Sequence, residues 1–190
     1  MYKSLAPLVL ALLTLAGSTS ARHINAEGLA LIKHYDGFFP NFYKDPVVSF
    51  KSLLFKKIQI FANSSTTNQN IKTIGYGHAC HSSDCTHIHP PLSEHQATEL
   101  LKTDLHEFEH CVDSFVSGLN ENQFSALVSF TYNLGCGSLT HSTLGKELKA
   151  HNKKAAAAQF AHWVHAGRVL QGLVKRRNAE RALFCKGGTC

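Results

Sequence analysis

Thr73-Ile74-Gly75-Tyr76-Gly77-His78 decides the fold when it is read with Asp36-Gly37 and Asp45-Pro46 upstream. Ile71 to Tyr76 has strand character, and two glycines flanking Tyr76 mark a tight turn after it. Asp36 and Asp45 stand nine positions apart, and Thr73 brings a hydroxyl to the mouth of the turn. That set suits cleavage of a glycosidic bond: one carboxyl protonates the leaving oxygen, while the other polarises a water with the threonine's help.

Outward from the turn, the chain divides by pattern. Residues 1–21 carry Lys3, an apolar run from Leu5 to Ala16 and then small residues. This is the layout of a signal peptide cleaved between Gly17 and Ala21. The run is too short for a bilayer, which takes about twenty residues. No other segment reads as a membrane span, so residues 22–190 are expected as one exported domain. Asn25 caps a first helix that carries Leu29 and Ile32, runs to Tyr35 and is stopped by Gly37. Residues 38–47 read as extended chain, and a cysteine- and histidine-rich loop follows His78 as far as Pro90-Pro91. Ser93 and Gln96 form a capping box for a helix to about Val116, with Leu100, Leu101, Leu105, Phe108 and Val112 on one face. Asn120 and Gln123 repeat the box for a helix with Phe124, Leu127, Val128 and Phe130, closed by Gly135. Shorter helices are predicted over 142–150 and 153–164. A last one spans 172–184, with Leu173, Val174, Leu183 and Phe184 facing inward. The class is α+β: a small strand-containing N-terminal lobe and a mainly helical C-terminal lobe, with a cleft between them for a polymer.

All six cysteines follow the leader, which in an exported chain implies three disulfides. Fifteen pairings are possible, and sequence proximity favours Cys80 with Cys85, Cys111 with Cys136, and Cys185 with Cys190. The competing use of Cys80 and Cys85, with histidines of the same loop, is a zinc site; oxidation is the expectation outside the cell. The formal charge is +6. It drops to +5 once Lys3 leaves, a modest basic excess that would concentrate the protein on acidic wall polymers. Lys175-Arg176-Arg177 is the only feature favouring nucleic acid, and no nucleic-acid partner is expected. No G-x-S-x-G setting, phosphate loop or dinucleotide fingerprint appears.

Together these residues resemble the phage-type lysozymes, glycoside hydrolase family 24, and among them the secreted fungal members. In that family a glutamate ends the first helix before a glycine, an aspartate follows nine residues later, and a threonine comes six after that. The resemblance spans about Asn25 to Phe184. It implies a monomeric, cofactor-free, secreted enzyme that hydrolyses β-1,4 linkages between N-acetylmuramic acid and N-acetylglucosamine in bacterial peptidoglycan. Asp36 takes the general acid's place, Asp45 that of the base and Thr73 that of the water-holding hydroxyl. An arginine of Gly172-Leu173-Val174-Lys175-Arg176-Arg177-Asn178-Ala179-Glu180 approaches the acid: Arg176, with Arg177 the alternative. In Phe130-Thr131-Tyr132-Asn133-Leu134-Gly135, the Asn133 amide either bonds sugar hydroxyls or caps its helix. Tyr43 is a candidate sugar-stacking ring, and Trp163 stacks likewise or belongs to the core.

Two departures from the family pattern stand out. Asp36 replaces the glutamate, withdrawing the carboxyl by about 1.5 Å, and a misplacement near 1 Å costs on the order of a hundredfold in rate. Glu27 cannot substitute, because it lies two and a half turns back on the opposite face. Thr73 stands 28 residues after Asp45, and the excess equals the 22 residues Val48 to Gln69. Val48-Ser49 can be encoded by GTAAGT, Ala62-Asn63 by GCTAAC and Gln69 by CAG, which are the marks of an intron. The expectation is therefore a retained intron over 48–69, against a genuine loop insertion in which Phe50 to Phe61 forms a strand pair. Without the segment the charge of the exported chain falls to +2, since Lys51, Lys56 and Lys57 leave with it.

Overall fold

The computed structural model describes residues 21–44, 71–80, 85–165, 167–188 and 190. The leader before Ala21, Asp45, the 48–69 segment with its strand pair, and His81 of the zinc alternative lie outside the described residues. Helix α1 covers Ala26–Asp36; the Asn25 side chain accepts the Gly28 N–H, and Gly37 closes the helix by donating to Lys33 O. Strand β1 (Phe39–Lys44) follows. It pairs antiparallel with β2 (Lys72–Gly75), Tyr43 opposite Thr73, and β2 pairs with the two-residue β3 (His78–Ala79). The sheet order is β1-β2-β3. Strand β3 occupies the start of what the sequence reads as loop.

The rest is helical. Helix α2 (Glu94–Phe115) and helix α3 (Glu121–Leu134) each begin with the expected capping box, Ser93 with Gln96 and Asn120 with Gln123. Then come α4 (Cys136–Thr140), α5 (Thr143–Lys149), α6 (Lys153–Gln159), a single 3-10 turn (Phe160–His162) and α7 (Gln171–Phe184). The predicted helix over 153–164 is therefore cut short by that turn. Helix α4 is an addition, because Gly135 ends one helix and the chain re-enters another at once.

Helix α3 is the centre. Every residue from Gln123 to Tyr132 is buried, and α1, α2, α4 and α7 pack around it. Its sequence explains this: between Glu121 and Leu134 it has no charge, and its hydroxyls find internal partners, as when Thr131 Oγ1 donates to Leu127 O at 2.9 Å. Trp163 is half-buried and packs against this core, edge-on to Phe130. Leu100 and Phe108 are only half-buried on α2, whereas Glu109 is buried among the apolar residues of that helix.

The inward face of α7 departs most from expectation. Leu183 and Phe184 are buried as expected, but Leu173 and Val174 are half-buried, and Arg176, Arg177 and Glu180 turn inward. The disulfides are Cys80–Cys85, Cys111–Cys136 and Cys185–Cys190, as sequence proximity favoured. The middle one ties α2 to the start of α4. No helix among the described residues is long and apolar enough to cross a membrane.

Candidate active site

Asp36 is the last residue of α1, where the helix dipole presents its negative end and a carboxylate needs a cation. The cation is Arg176, whose Nη1 donates to Asp36 Oδ1 at 3.0 Å. The second oxygen, Asp36 Oδ2, is buried and has no hydrogen-bond partner among the described residues. Arg176 also bonds Glu180 Oε1 through Nε at 3.2 Å, donates from Nη2 to Ser129 O at 3.5 Å, and lies over the Tyr35 ring. Arg177 pairs with both Glu180 oxygens, Nε to Oε2 at 2.8 Å and Nη2 to Oε1 at 3.0 Å. Its Nη2 also donates to Asn133 Oδ1 at 2.9 Å. Ser129 Oγ donates to Glu180 Oε1 at 2.8 Å.

Two guanidiniums and two carboxylates thus form a charge-balanced chain under α3. Burial drives the ionisation of its members. It depresses the Arg177 guanidinium to about 10 despite Glu180, and it pushes the Glu180 carboxyl up against the pull of both arginines. Burial works against the Arg176 charge as well, but Asp36 and Glu180 more than offset it, and that guanidinium's pKa rises.

Arg176, expected to approach the acid, pairs with Asp36 with only 3% of its surface exposed. Arg177, the alternative, reaches Asn133 and Glu180 instead. Asn133, next to last in α3, has its amide oxygen accepting from Arg177. Glu180 is a residue of this network that the sequence reading does not assign, although it stands three and four positions from the arginines on one helix.

The glycine turn locks the sheet onto the helices. Gly75 and Gly77 take φ of +67° and +99°, and a Cβ on Gly77 would lie 3.4 Å from the Tyr132 hydroxyl. That hydroxyl donates to Tyr76 O at 2.9 Å, and His78 Nδ1 lies 2.9 Å from Asp104 Oδ1 on α2. His78 thus braces the turn against α2. Thr73 is fully buried, and its hydroxyl donates to Ile71 O at 3.4 Å. Tyr43, opposite it, is half-buried with its ring 4.3 Å from that of Phe39. Asp36, Arg176 and, through Arg177, Asn133 therefore share one network, while Thr73 and Tyr43 are neighbours on the sheet. The zinc alternative falls, because Cys80 and Cys85 are joined to each other.

Comparison with known proteins agrees with this architecture. The family described as phage lysozyme matches residues 60–180. The endolysin of Bacillus phage B103 is 37% identical over 169 residues, 87% of this chain and 55% of its own length. The endolysin of Acyrthosiphon pisum secondary endosymbiont phage 1 is 32% identical over 85% of this chain and 97% of its own. The chain spans about half the length of the Bacillus phage endolysins it matches. Among solved structures, the muramidase domain of SpmX from Asticaccaulis excentricus superposes with a TM-score of 0.66 at 27% identity, covering 86% of this chain and 98% of that one. A P22 lysozyme variant does so at 0.66 and 28%, covering 87% and 99%. With a family match over residues 60–180 and relatives 32% and 37% identical across most of its length, the chain belongs to the phage lysozyme family.

Proposed function

We propose that this protein is a secreted lysozyme that hydrolyses β-1,4 linkages between N-acetylmuramic acid and N-acetylglucosamine in bacterial peptidoglycan, for killing bacteria or digesting them. The observation that carries the reading is the Asp36–Arg176 pair, a carboxyl at a helix end held from below by a buried cation. The endolysin and muramidase names of its relatives support the substrate. In this reading Asp36 protonates the leaving oxygen, Asp45 activates water and Thr73 orients it. Inversion then requires the carboxyls to stand about 6.5–9.5 Å apart. Asn133 and Tyr43 line the glycan groove, and Arg176 fixes the orientation of the acid. The protein works as a monomer without cofactor or nucleic acid, and it leaves the cell after losing residues 1–21. The leader, and residues 48–69 that intron-like codons can encode, are compatible with an origin among secreted fungal members of the family. Transcript sequencing tests the intron: mature message that always contains these codons rules it out.

Asp36 itself favours a second reading, a peptidoglycan-binding protein with weakened or lost catalysis. Four proteins separate the two: the chain as it stands, Asp36→Glu, and each without residues 48–69. Turbidity clearing of a bacterial wall suspension reads hydrolysis, and sedimentation with insoluble peptidoglycan reads binding. The expected result is fastest clearing by Asp36→Glu lacking 48–69. Binding without clearing in the natural chain supports the second reading. A folded Asp36→Glu deletion protein that neither clears nor binds ends both.

A further inference from the structure

At the end of α1 remote from Asp36, the segment before the helix lies across α2. Glu109 of α2 reaches it with a side chain only 6% exposed. Its Oε1 accepts the Ile24 N–H at 2.8 Å, which fixes the carboxylate plane. Its Oε2 lies 2.9 Å from His23 Nδ1 and 3.5 Å from His106 Nδ1. His106 sits three residues before Glu109 on the same helix, and its imidazole meets that of His23 edge-on, ring centres 5.3 Å apart. One nitrogen of each ring and a carboxylate oxygen thus lie within 4.8 Å of one another.

Hydrogen bonding does not use this arrangement up. The His106 contact is too long for a good hydrogen bond, which runs to about 3.2 Å. Ligands around a tetrahedral ion with bonds of about 2.0–2.1 Å are separated by roughly 3.4 Å. The His106–Glu109 spacing already has that value, and His23, 55% exposed on an extended segment, has room to adjust. The nearest cationic side chain in sequence, Arg22, is engaged elsewhere, donating to Leu119 O and lying over the Phe124 ring. Two imidazoles and one carboxylate suit ions of the zinc type, whereas calcium and magnesium prefer oxygen alone.

We propose that His23, His106 and Glu109 bind one divalent transition-metal ion of the zinc type, with water completing its coordination. The ion would clasp the segment before α1 onto α2. The site lies about 16 Å along α1 from Asp36, taking 1.5 Å per residue, and does not depend on the lytic reading.

The test is calorimetric titration of zinc chloride into the chelator-stripped protein, free of any histidine tag. His23→Ala, His106→Ala and the control His162→Ala are run beside it. All three side chains are exposed, so each variant is expected to fold, which circular dichroism verifies. The expected result is one ion per chain, with affinity reduced about tenfold or more by either of the first two changes and unchanged by the third. Cobalt loading should give visible absorption bands that the His23→Ala/His106→Ala double variant lacks. Absence of stoichiometric binding, binding that survives in the double variant, or equal loss in His162→Ala overturns the site.

Discussion

Arg176 holds three acceptors at once: Asp36 Oδ1, Glu180 Oε1 and Ser129 O. Its planar fork makes this possible, and a lysine ammonium on a flexible stem does not reproduce it. Replacing Arg176 by alanine leaves Asp36 without its cation and Glu180 with Arg177 as its remaining cation, a broken buried network that costs about 3–5 kcal/mol. Urea unfolding should show that loss, and Arg176→Lys should recover little of it. Tyr132 supports a prediction on pH. Burial first, then the charges of Asp36 and Asp104, hold its phenol well above the ordinary value of 10.0. The folded state therefore keeps a proton that the unfolded chain releases above pH 10. This contribution to stability is complete below pH 10 and is lost as pH rises beyond it. Comparing urea midpoints at pH 9 and pH 11, the fall should be smaller in Tyr132→Phe. That variant starts about 1 kcal/mol lower because Tyr76 O loses its donor. The sequence made Asp36 and Arg176 legible because a glycine and a basic run mark their places. It hid Glu180, because a charged residue on an amphipathic helix reads as solvent-facing until its partners are known to be buried.

Helix boundaries were legible wherever a side chain caps the backbone. Asn25, Ser93, Asn120 and Ser142 each accept an N–H of the first turn, and their helices start where the sequence places them. What failed was the face of α7. Leu173 and Val174 stand half-buried in its first turn, and the arginines that follow take the inward position together with Glu180. The stretch 160–164 failed for a different reason: Phe160 is drawn into the core against Phe130 and Phe184, and a tighter turn delivers it there. Contact between α1 and α3 gives a test of how closely these elements meet. A Cβ on Gly28 would lie 2.7 Å from Ser125 Cβ and 2.8 Å from Ile24 Cγ1. Ser125 cannot easily yield, since its hydroxyl accepts the Asn25 N–H that starts α1. Gly28→Ala gains up to about 1 kcal/mol of helix preference but meets overpacking of about 1–3 kcal/mol. A net loss in thermal unfolding is expected. A gain would mean that α1 shifts freely on α3.

Among the described residues, hydrogen bonds tie the sheet to the helical part at Tyr76 O on Tyr132, at His78 on Asp104 and, just before α2, at the Leu92 N–H on Pro40 O. The helical body is held differently, by the buried length of α3 and by one long covalent link. Cys111–Cys136 closes 25 residues and joins α2 to α4 across all of α3, whereas Cys185–Cys190 closes 5 at the end of the chain. If a crosslink acts by restricting the unfolded chain, the first contributes about 3.5 kcal/mol and the second about 2 kcal/mol. The difference should widen in practice. Residues Lys186 to Gly188 follow α7 as an exposed turn, and constraining a segment with little buried structure stabilises the core only weakly. Cys111→Ser/Cys136→Ser should therefore lower the urea midpoint far more than Cys185→Ser/Cys190→Ser, with the denaturant slope rising in the first pair as the unfolded chain expands. Equal losses would mean that the tail is part of the cooperative unit and that α7 depends on its final residues to stay docked on α3.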